Sequence, residues 1–369
     1  MNDAIAIILI WGGLAFLFLQ LLPIAIGVDN NGNFLASLVS FVKNQFVGNK
    51  EIKGIINVFN GEDFEEATVH FDKKIDIYDI KISSSNPKLI FAGSNRGLFI
   101  SRDNGLNWQI FQDRENKINL KTEIYKIIFL PSGRSFLSVF QNGKGIIYQS
   151  EDNFSSLIKI LEFDNTIIND FDADEKNLYA GLSDGRLVAY SLENQSFKIL
   201  ANFNSGINIL KSENNLIYFS LEDGGFFVGG EEEMNFERMK FLDDYRGAAQ
   251  INDFVVYPQT KRGDAPSAQE NNISSRSDVG VYAATDYGLI RSKDAGRTWQ
   301  VFKSLPAENR KVFRVLAGSD EIFAADYDKI YRSKDAGLNW QILYPEIENG
   351  RKISAITINV DKIIIGSKK

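Results

Sequence analysis

Three eight-residue segments of the chain share the pattern Ser-x-Asp-x-Gly-x-x-Trp, and each is followed by Gln and then by two apolar residues. The spacing predicts a tight turn between two strands. The Asp side chain accepts hydrogen bonds from nearby backbone N–H groups, and the Gly supplies a positive φ. The Trp starts the returning strand and buries a large apolar face. Structural roles are therefore predicted for Ser101, Asp103, Gly105 and Trp108, for Ser292, Asp294, Gly296 and Trp299, and for Ser333, Asp335, Gly337 and Trp340.

Weaker copies of the same pattern occupy residues 60–67, 150–157, 191–197 and 229–236. The positions equivalent to the Trp are then 67, 108, 157, 197, 236, 299 and 340, spaced by 39 to 49 residues apart from one interval of 63. A period of about 40 residues with several strands per unit is typical of β-propeller blades. The long interval contains residues 258–278, which are polar and lack periodicity, so we expect a loop insertion there.

Every unit also begins with a similar short apolar strand. The seven first strands start at Ile77, Ile124, Ile168, Ile207, Ile251, Val312 and Ile353. The seventh unit has only two strands, and residues 54–71 could supply its third and fourth. Pairing residues 54–71 with 353–369 would leave no half-built blade with exposed edges. The sequence therefore predicts an all-β, seven-bladed propeller of four-stranded blades over residues 52–369, closed by a blade that both ends share.

The N-terminal part of the chain differs from the rest. Residues 4–27 contain no charged side chain, and as a helix they would reach about 36 Å, enough for a hydrocarbon core of about 30 Å. We expect residues 1–28 to be a transmembrane anchor, with a signal peptide cleaved near Ala25-Ile26-Gly27 as the alternative. Residues 29–51 are predicted to form a juxtamembrane amphipathic helix or linker.

Charge and rare residues exclude several function classes. The net charge of −7 argues against a nucleic-acid-binding protein, which would carry a basic surface. The absence of cysteine excludes disulfides, thiolate nucleophiles and thiolate metal sites. A single histidine, His70, argues against histidine-based zinc sites and Ser/His/Asp triads. No glycine-rich phosphate loop is present, so we expect neither a cofactor nor a metal.

The three boxed segments resemble the Asp-box, or BNR repeat, found in sialidases, some xyloglucan-degrading glycosidases, sortilin-type receptors and photosystem II assembly-factor-like propellers. In size, predicted blade number and membrane-proximal N-terminus the chain is most similar to the last group, over about residues 52–369. The resemblance implies that the boxes are structural turns. A sialidase would also need three arginines, a Tyr/Glu pair and an acid, and the Arg-Ile-Pro tripeptide usual in that family is absent. A carboxylate pair of a glycoside hydrolase cannot be located from the sequence.

Two sets of charged residues are candidates for binding. The loops between second and third strands are basic in the first three units (Arg96, Lys144, Arg186) and acidic in the next three (Glu222, Asp223, Asp286, Asp326, Asp328). They are either ordinary solvated turns or a docking face. The third position of the first strands is also charged, with Asp79, Lys126, Asp170, Asp253 and Arg314. These residues form either inter-blade ion pairs or a polar pocket at the channel mouth.

We therefore expect a non-enzymatic, membrane-anchored propeller that binds another protein, as an assembly or scaffold factor outside the cytoplasm. By the positive-inside rule Lys43 favours a cytoplasmic C-terminal part, but large domains cross the membrane regardless of such a charge, so the sequence encodes the orientation only weakly. The binding residues would be Arg96, Lys144, Arg186, Lys126 and Arg314, which suit an acidic partner. The alternative is a carbohydrate-active or glycan-binding propeller.

Overall fold

The computed structural model describes residues 51–52, 55–71, 74–232, 234–239, 250–258, 279–306, 311–317, 321–345, 347–348, 350–359 and 362–369. The predicted membrane segment 4–27 lies outside this part of the chain, as do residues 29–50 of the predicted linker and 259–278 of the predicted insertion. In the described ranges, no helix combines the length and apolar character needed to cross a bilayer.

The described residues form thirty β-strands. The first four are β1 (Glu51–Ile52), β2 (Ile56–Phe59), β3 (Phe64–Glu66) and β4 (Thr68–His70). Blade 1 contains β5 (Ile77–Ile82), β6 (Ile90–Ser94), β7 (Gly97–Ser101) and β8 (Asn107–Ile110). Blade 2 contains β9 (Glu123–Phe129), β10 (Ser135–Gln141), β11 (Lys144–Ser150) and β12 (Ile158–Asp164). Blade 3 contains β13 (Ile168–Ala173), β14 (Asn177–Leu182), β15 (Arg186–Ser191) and β16 (Ser196–Asn202).

Three further blades follow in the same order. Blade 4 contains β17 (Ile207–Glu213), β18 (Leu216–Leu221), β19 (Phe226–Gly230) and β20 (Asn235–Arg238). Blade 5 contains β21 (Ile251–Pro258), β22 (Val279–Thr285), β23 (Gly288–Ser292) and β24 (Gln300–Val301). Blade 6 contains β25 (Arg314–Ala317), β26 (Ile322–Ala325), β27 (Ile330–Ser333) and β28 (Gln341–Leu343). Blade 7 combines β29 (Lys352–Asn359) and β30 (Lys362–Lys368) with β2 and β3.

Each blade is an antiparallel meander, and its first strand is the innermost. The first strands of successive blades contact one another in the order β5, β9, β13, β17, β21, β25, β29 and back to β5, so the seven sheets close into a ring. The prediction of a seven-bladed propeller with four-stranded blades is confirmed for the described residues.

Blade 7 closes the ring by pairing the two ends of the propeller. Strand β2 pairs antiparallel with β30, with Ile56 opposite Gly366 and Phe59 opposite Ile363. The shared blade is confirmed for strands β2 and β3. However, the prediction that all of residues 54–71 belong to it is wrong, because β4 leaves for blade 1. There β4 pairs parallel with β8, placing Val69 opposite Trp108, and neither side chain retains any exposed surface.

The core lies between neighbouring blades, where inner-strand residues pack on the second strand of the preceding blade. Glycines on these second strands make room for the isoleucines. A Cβ on Gly93 would lie 2.7 Å from the carbonyl oxygen of Ile124, so only glycine fits at that distance. Ile124 has no exposed surface, and burying such a side chain contributes about 1.5–3 kcal/mol. This packing fixes how closely the inner strand of blade 2 approaches the second strand of blade 1.

Candidate functional site

The three boxed segments form turns between the third and fourth strands of blades 1, 5 and 6. In the first, the Ser101 hydroxyl donates to Asp103 Oδ1 (2.8 Å) and accepts the N–H of Gly105 (2.9 Å). Asp103 Oδ1 also accepts the N–H of Asn107 (2.9 Å). The turns that begin at Ser292 and Ser333 repeat these bonds at 2.7–2.8 Å. In each of these turns the aspartate is therefore held by groups of its own turn.

The seventh residue of each box also binds the aspartate, which the sequence analysis missed. The side chains of Asn107, Thr298 and Asn339 donate to the second carboxylate oxygen of their aspartates at 2.6, 2.6 and 2.7 Å. The sequence contains a signal for this contact, because Asn or Thr directly precedes the Trp in all three boxes. In Asp103, burial favours the neutral form, but the hydrogen bonds from Asn107 outweigh it and hold the pKa below its usual value. A carboxylate kept ionised in this way is a poor general acid.

The degenerate segment 150–157 forms the same turn. The Ser150 hydroxyl donates to Asp152 Oδ1 (2.9 Å) and accepts the N–H of Phe154 (2.9 Å). Phe154 stands where the other boxes have Gly, and it keeps the positive φ, at 67°. Its ring has no exposed surface. The turn therefore depends on the Ser and Asp, while burial of the ring offsets the strained backbone at the glycine position.

The three box tryptophans are not equally buried, although the sequence predicts large apolar contacts for each. Trp108 and Trp299 have exposed fractions of 0% and 5%, and both donate Nε1–H to the carbonyl of the box glycine at 2.7 Å. Trp340 is only partly buried. In this box the hydroxyl of Ser304 donates to the glycine carbonyl instead (2.8 Å), and Trp340 Nε1 lies 3.3 Å from that hydroxyl.

Two of the three predicted basic loop residues are already paired with carboxylates. Lys144 Nζ lies 2.6 Å from Glu162 and 3.1 Å from Asp164. Arg186 NH2 lies 2.6 Å from Asp184. The third residue, Arg96, is exposed, and no ion pair to its side chain is seen among the described residues. The predicted basic half therefore consists mainly of local ion pairs, with Arg96 as its uncompensated cation.

The predicted acidic half is engaged in the same way. Asp286 Oδ2 accepts from Lys311 at 2.7 Å, and Asp326 Oδ2 accepts from the hydroxyl of Tyr331 at 2.7 Å. Glu222 accepts from the side-chain amide of Asn169 on the inner strand of blade 3, at 2.7 Å. Three of the five predicted acidic residues therefore accept bonds within the fold, whereas Asp223 and Asp328 are exposed.

A channel of about 480 Å³ runs between the inner strands, and all seven blades contribute to its lining. Lys126 Nζ lies 2.8 Å from Asp170 Oδ1 across the junction of blades 2 and 3, as the inter-blade ion-pair prediction requires. Lys211 of blade 4 lies 3.9 Å from the other oxygen of Asp170. Burial favours neutral Asp170, but the ammonium groups of Lys126 and Lys211 outweigh it and hold its pKa below the usual value. Burial and the nearby Lys126 lower the pKa of Lys211.

The second predicted pair, Asp253 with Arg314, does not form. Arg314 donates to backbone carbonyls instead, through Nε to Ser354 (2.5 Å) and through NH1 to Asn252 (3.2 Å) and Phe313 (2.9 Å). Asp253 accepts the N–H of Val315 at 3.1 Å.

The same inter-blade bond recurs around the channel. Asp79 accepts the N–H of Ile127 at 2.9 Å, and Asp170 accepts the N–H of Leu210 at 3.0 Å. Asp253 makes the same bond to the N–H of Val315. The inner strand has a bulge beside each of these three aspartates. Three channel carboxylates are thus used to join neighbouring blades.

No protein-family model matches the sequence, and no curated protein matches it. Solved structures do match. YCF48 from Cyanidioschyzon merolae superposes with a TM-score of 0.57 at 14% identity, over 80% of this chain and 97% of YCF48. The chain shares its fold with YCF48. A structure of YCF48 bound to D1 peptide gives 0.50 at 13% identity, over 84% of both chains. The computationally designed Ika8 protein gives 0.52 at 12% identity, over 80% of this chain and 94% of Ika8.

The propeller of this chain has one face that surrounds a polar channel mouth. The loops between second and third strands lie on this face together with the starts of the inner strands. The N–H of Gly97, in the blade 1 loop, donates to the carbonyl of Thr122, just before β9 (2.8 Å). Several cations that line the channel or the adjoining pocket were not predicted from the sequence, among them Lys211, Lys352 and Lys368. None of them is at the aligned third position of an inner strand. Within the described residues, no group of acidic or histidine side chains could hold a metal ion.

Proposed function

We propose that this chain is a protein-binding propeller that acts as an assembly or scaffold factor, and that an extended segment of its partner binds at the channel mouth. The proposal rests on which charged side chains at the channel mouth already have a partner within the fold. The channel aspartates accept backbone N–H groups of the next blade. Lys352 and Lys368 contact aromatic rings and have no carboxylate partner among the described residues, so these two cations remain available to a ligand.

The similar structures support a protein ligand. YCF48 has been seen with a D1 peptide, and the boxes of this chain resemble those of photosystem II assembly-factor-like propellers. From that similarity we infer only the class of ligand, which is a peptide segment of another protein. The proposal also keeps residues 4–27 as a membrane anchor, with the propeller outside the cytoplasm, where a membrane-protein partner would meet it.

The binding proposal is tested by capturing partners with the purified full chain in detergent. Arg96→Glu should reduce capture and make the remaining capture less dependent on salt, because charges at the rim of an interface mainly govern the rate of association. Arg102→Glu is the matched control. Arg102 is also exposed and belongs to the same blade, but it lies in the box turn at the opposite face.

If Arg96→Glu recovers the same partner in the same amount as the wild type, the channel-mouth face is not the binding face. Charge reversal at Lys144 or Arg186 would be a less informative test of the binding face. Reversing either charge would place a glutamate beside Glu162 or Asp184 and would disturb the local fold.

The anchor is tested separately. The full chain should stay with membranes during an alkaline carbonate wash, whereas a chain lacking residues 1–28 should be recovered in the soluble fraction. Release of the intact full chain by carbonate would contradict a spanning helix.

A further inference from the structure

Three cations meet at the junction of blades 6 and 7. Lys352 on β29 and Lys368 on β30 are directly opposite each other in the sheet, where Cβ atoms are about 4.5–5.5 Å apart. Arg314 lies on the neighbouring inner strand, and its Nε donates to the carbonyl of Ser354 on β29. Arg314 and Lys368 line the channel, and Lys352 lines an adjoining pocket of about 620 Å³. We call these three residues the cation cluster.

Within the described part of the chain, no carboxylate pairs with the cation cluster. Lys352 Nζ lies 5.2 Å from the ring centre of Phe313, and Lys368 Nζ lies 5.7 Å from that of Tyr78. The hydrogen bonds of Arg314 go to backbone carbonyls. The nearby Asp76 is itself paired with Arg351, at 3.0 Å. By contrast, Lys126 in the same channel has a carboxylate partner, because its Nζ lies 2.8 Å from Asp170 Oδ1.

This arrangement costs the folded protein free energy. Like charges directly opposite each other on a sheet are destabilising. Burial, reinforced by the charges of Arg314 and Lys352, lowers the pKa of Lys368 from 10.5 to about 8. Positions where a chain departs from the rules of stable packing are often its functional sites. An anion in the cluster would relieve the repulsion.

We propose that the cation cluster binds a carboxylate group of the ligand that enters the channel mouth. This proposal rests on the proposed function, because it says which chemistry of the partner the site recognises. A guanidinium and two ammonium groups provide charge-assisted donors for carboxylate oxygens. The stacked rings of Tyr78 and Tyr125, with centres 5.2 Å apart, lie beside Lys368 and can cover the apolar stem that carries the carboxylate. The carboxylate could come from an acidic peptide or from a small free dicarboxylate.

The test measures binding of a fluorescein-labelled tetraglutamate peptide to the full chain in detergent, with tetraglutamine as the uncharged probe and succinate as competitor. Tetraglutamate should bind saturably and tetraglutamine should not. Lys352→Met with Lys368→Met should weaken binding at least tenfold, while the control Lys334→Met should change it less than twofold. Lys334 is exposed in the box turn of blade 6, at the opposite face. Raising the pH from 7 to 9.5 should also weaken binding, as Lys368 loses its proton.

Competition by succinate would identify a free carboxylate as sufficient, and its failure would identify the peptide as the source. The double variant should melt at or above the wild-type temperature, which separates loss of binding from loss of fold. Absence of saturable tetraglutamate binding, or equal binding by the double variant, would overturn the carboxylate site. If the double variant still captures the partner, the cation cluster is not the site that recognises it, but the proposed protein-binding function remains supported. If tetraglutamate binds but no partner is captured, the carboxylate site is supported and the proposed protein-binding function is contradicted.

Discussion

Replacing Asp170 with asparagine isolates the role of the ion pair in the channel. Asp170 accepts from Lys126 Nζ (2.8 Å) and from the N–H groups of Phe171 (2.9 Å) and Leu210 (3.0 Å), with Lys211 at 3.9 Å. Asn has nearly the same shape and keeps one carbonyl oxygen for a backbone N–H. The substitution therefore removes mainly the negative charge between two lysines.

The expected loss of stability depends on how deeply Asp170, Lys126 and Lys211 are buried. Removing one partner of a fully buried ion pair costs about 3–5 kcal/mol. The side chain of Asp170 is 7% exposed, while those of Lys126 and Lys211 are 17% and 24% exposed to the channel. Water therefore reaches the lysines and reduces the penalty of leaving their charges without the carboxylate. We expect Asp170→Asn to lower the free energy of unfolding by about 2–3 kcal/mol, near the lower end of that range.

Urea unfolding of the full chain in mild detergent, followed by tryptophan fluorescence at pH 7, measures this loss. Adding Lys126→Met to Asp170→Asn should recover at least half of it, because the stranded charge is then gone. The pKa of Asp170 is lowered in the folded state, so its contribution is fully present above about pH 4. It is lost as the pH falls through the folded-state pKa, and the variant and wild type should converge there. A loss below about 0.5 kcal/mol, the size usual for an exposed pair, would refute this account, as would a double variant no more stable than Asp170→Asn.

The same unfolding assay tests three other substitutions. Trp108→Ala should cost about 3–5 kcal/mol and Trp340→Ala clearly less, because only Trp108 is fully buried; equal losses would contradict the difference in packing. Lys368→Met should stabilise the chain below pH 8, by up to about 3 kcal/mol for a pKa lowered from 10.5 to about 8. That gain should disappear as the pH rises to 10.5, and a gain that does not change with pH would point to packing instead. Ser150→Ala should cost about 1–3 kcal/mol, because two hydrogen bonds of the turn are lost; an unchanged urea midpoint would show that the degenerate box does not need its serine.

The blade architecture could be predicted because its signals are local. The turn chemistry of the box and the apolar start of each inner strand recur at a regular spacing, and each of these signals is contained within a few consecutive residues. Strand β4 could not be placed in the same way. Its parallel pairing with β8 depends on burying Val69 beside Trp108, which is a contact between distant residues that no local pattern encodes.

The channel was predictable only where both partners occupy the same aligned position. Lys126 and Asp170 stand at the third position of adjacent inner strands, and they pair. Asp253 and Arg314 stand at the same position, yet both turn to backbone groups. The difference arises from the carbonyl and N–H groups that the neighbouring strands bring within reach, and a sequence does not show these. Lys352 and Lys368 were missed because their proximity comes from the register of β29 and β30.

The overall charge of the chain is a poor guide to the charge that a ligand would meet. Acidic residues outnumber basic ones by 48 to 41. Yet the box aspartates accept hydrogen bonds within their own turns, and the channel aspartates accept N–H groups of neighbouring blades. A carboxylate satisfied in this way still contributes to the long-range field, but it cannot approach a ligand. Lys352 and Lys368 have no such partner among the described residues, so they present unpaired positive charge to a ligand at the channel mouth. An acidic propeller can therefore select an acidic segment, provided that its own carboxylates are committed to the fold.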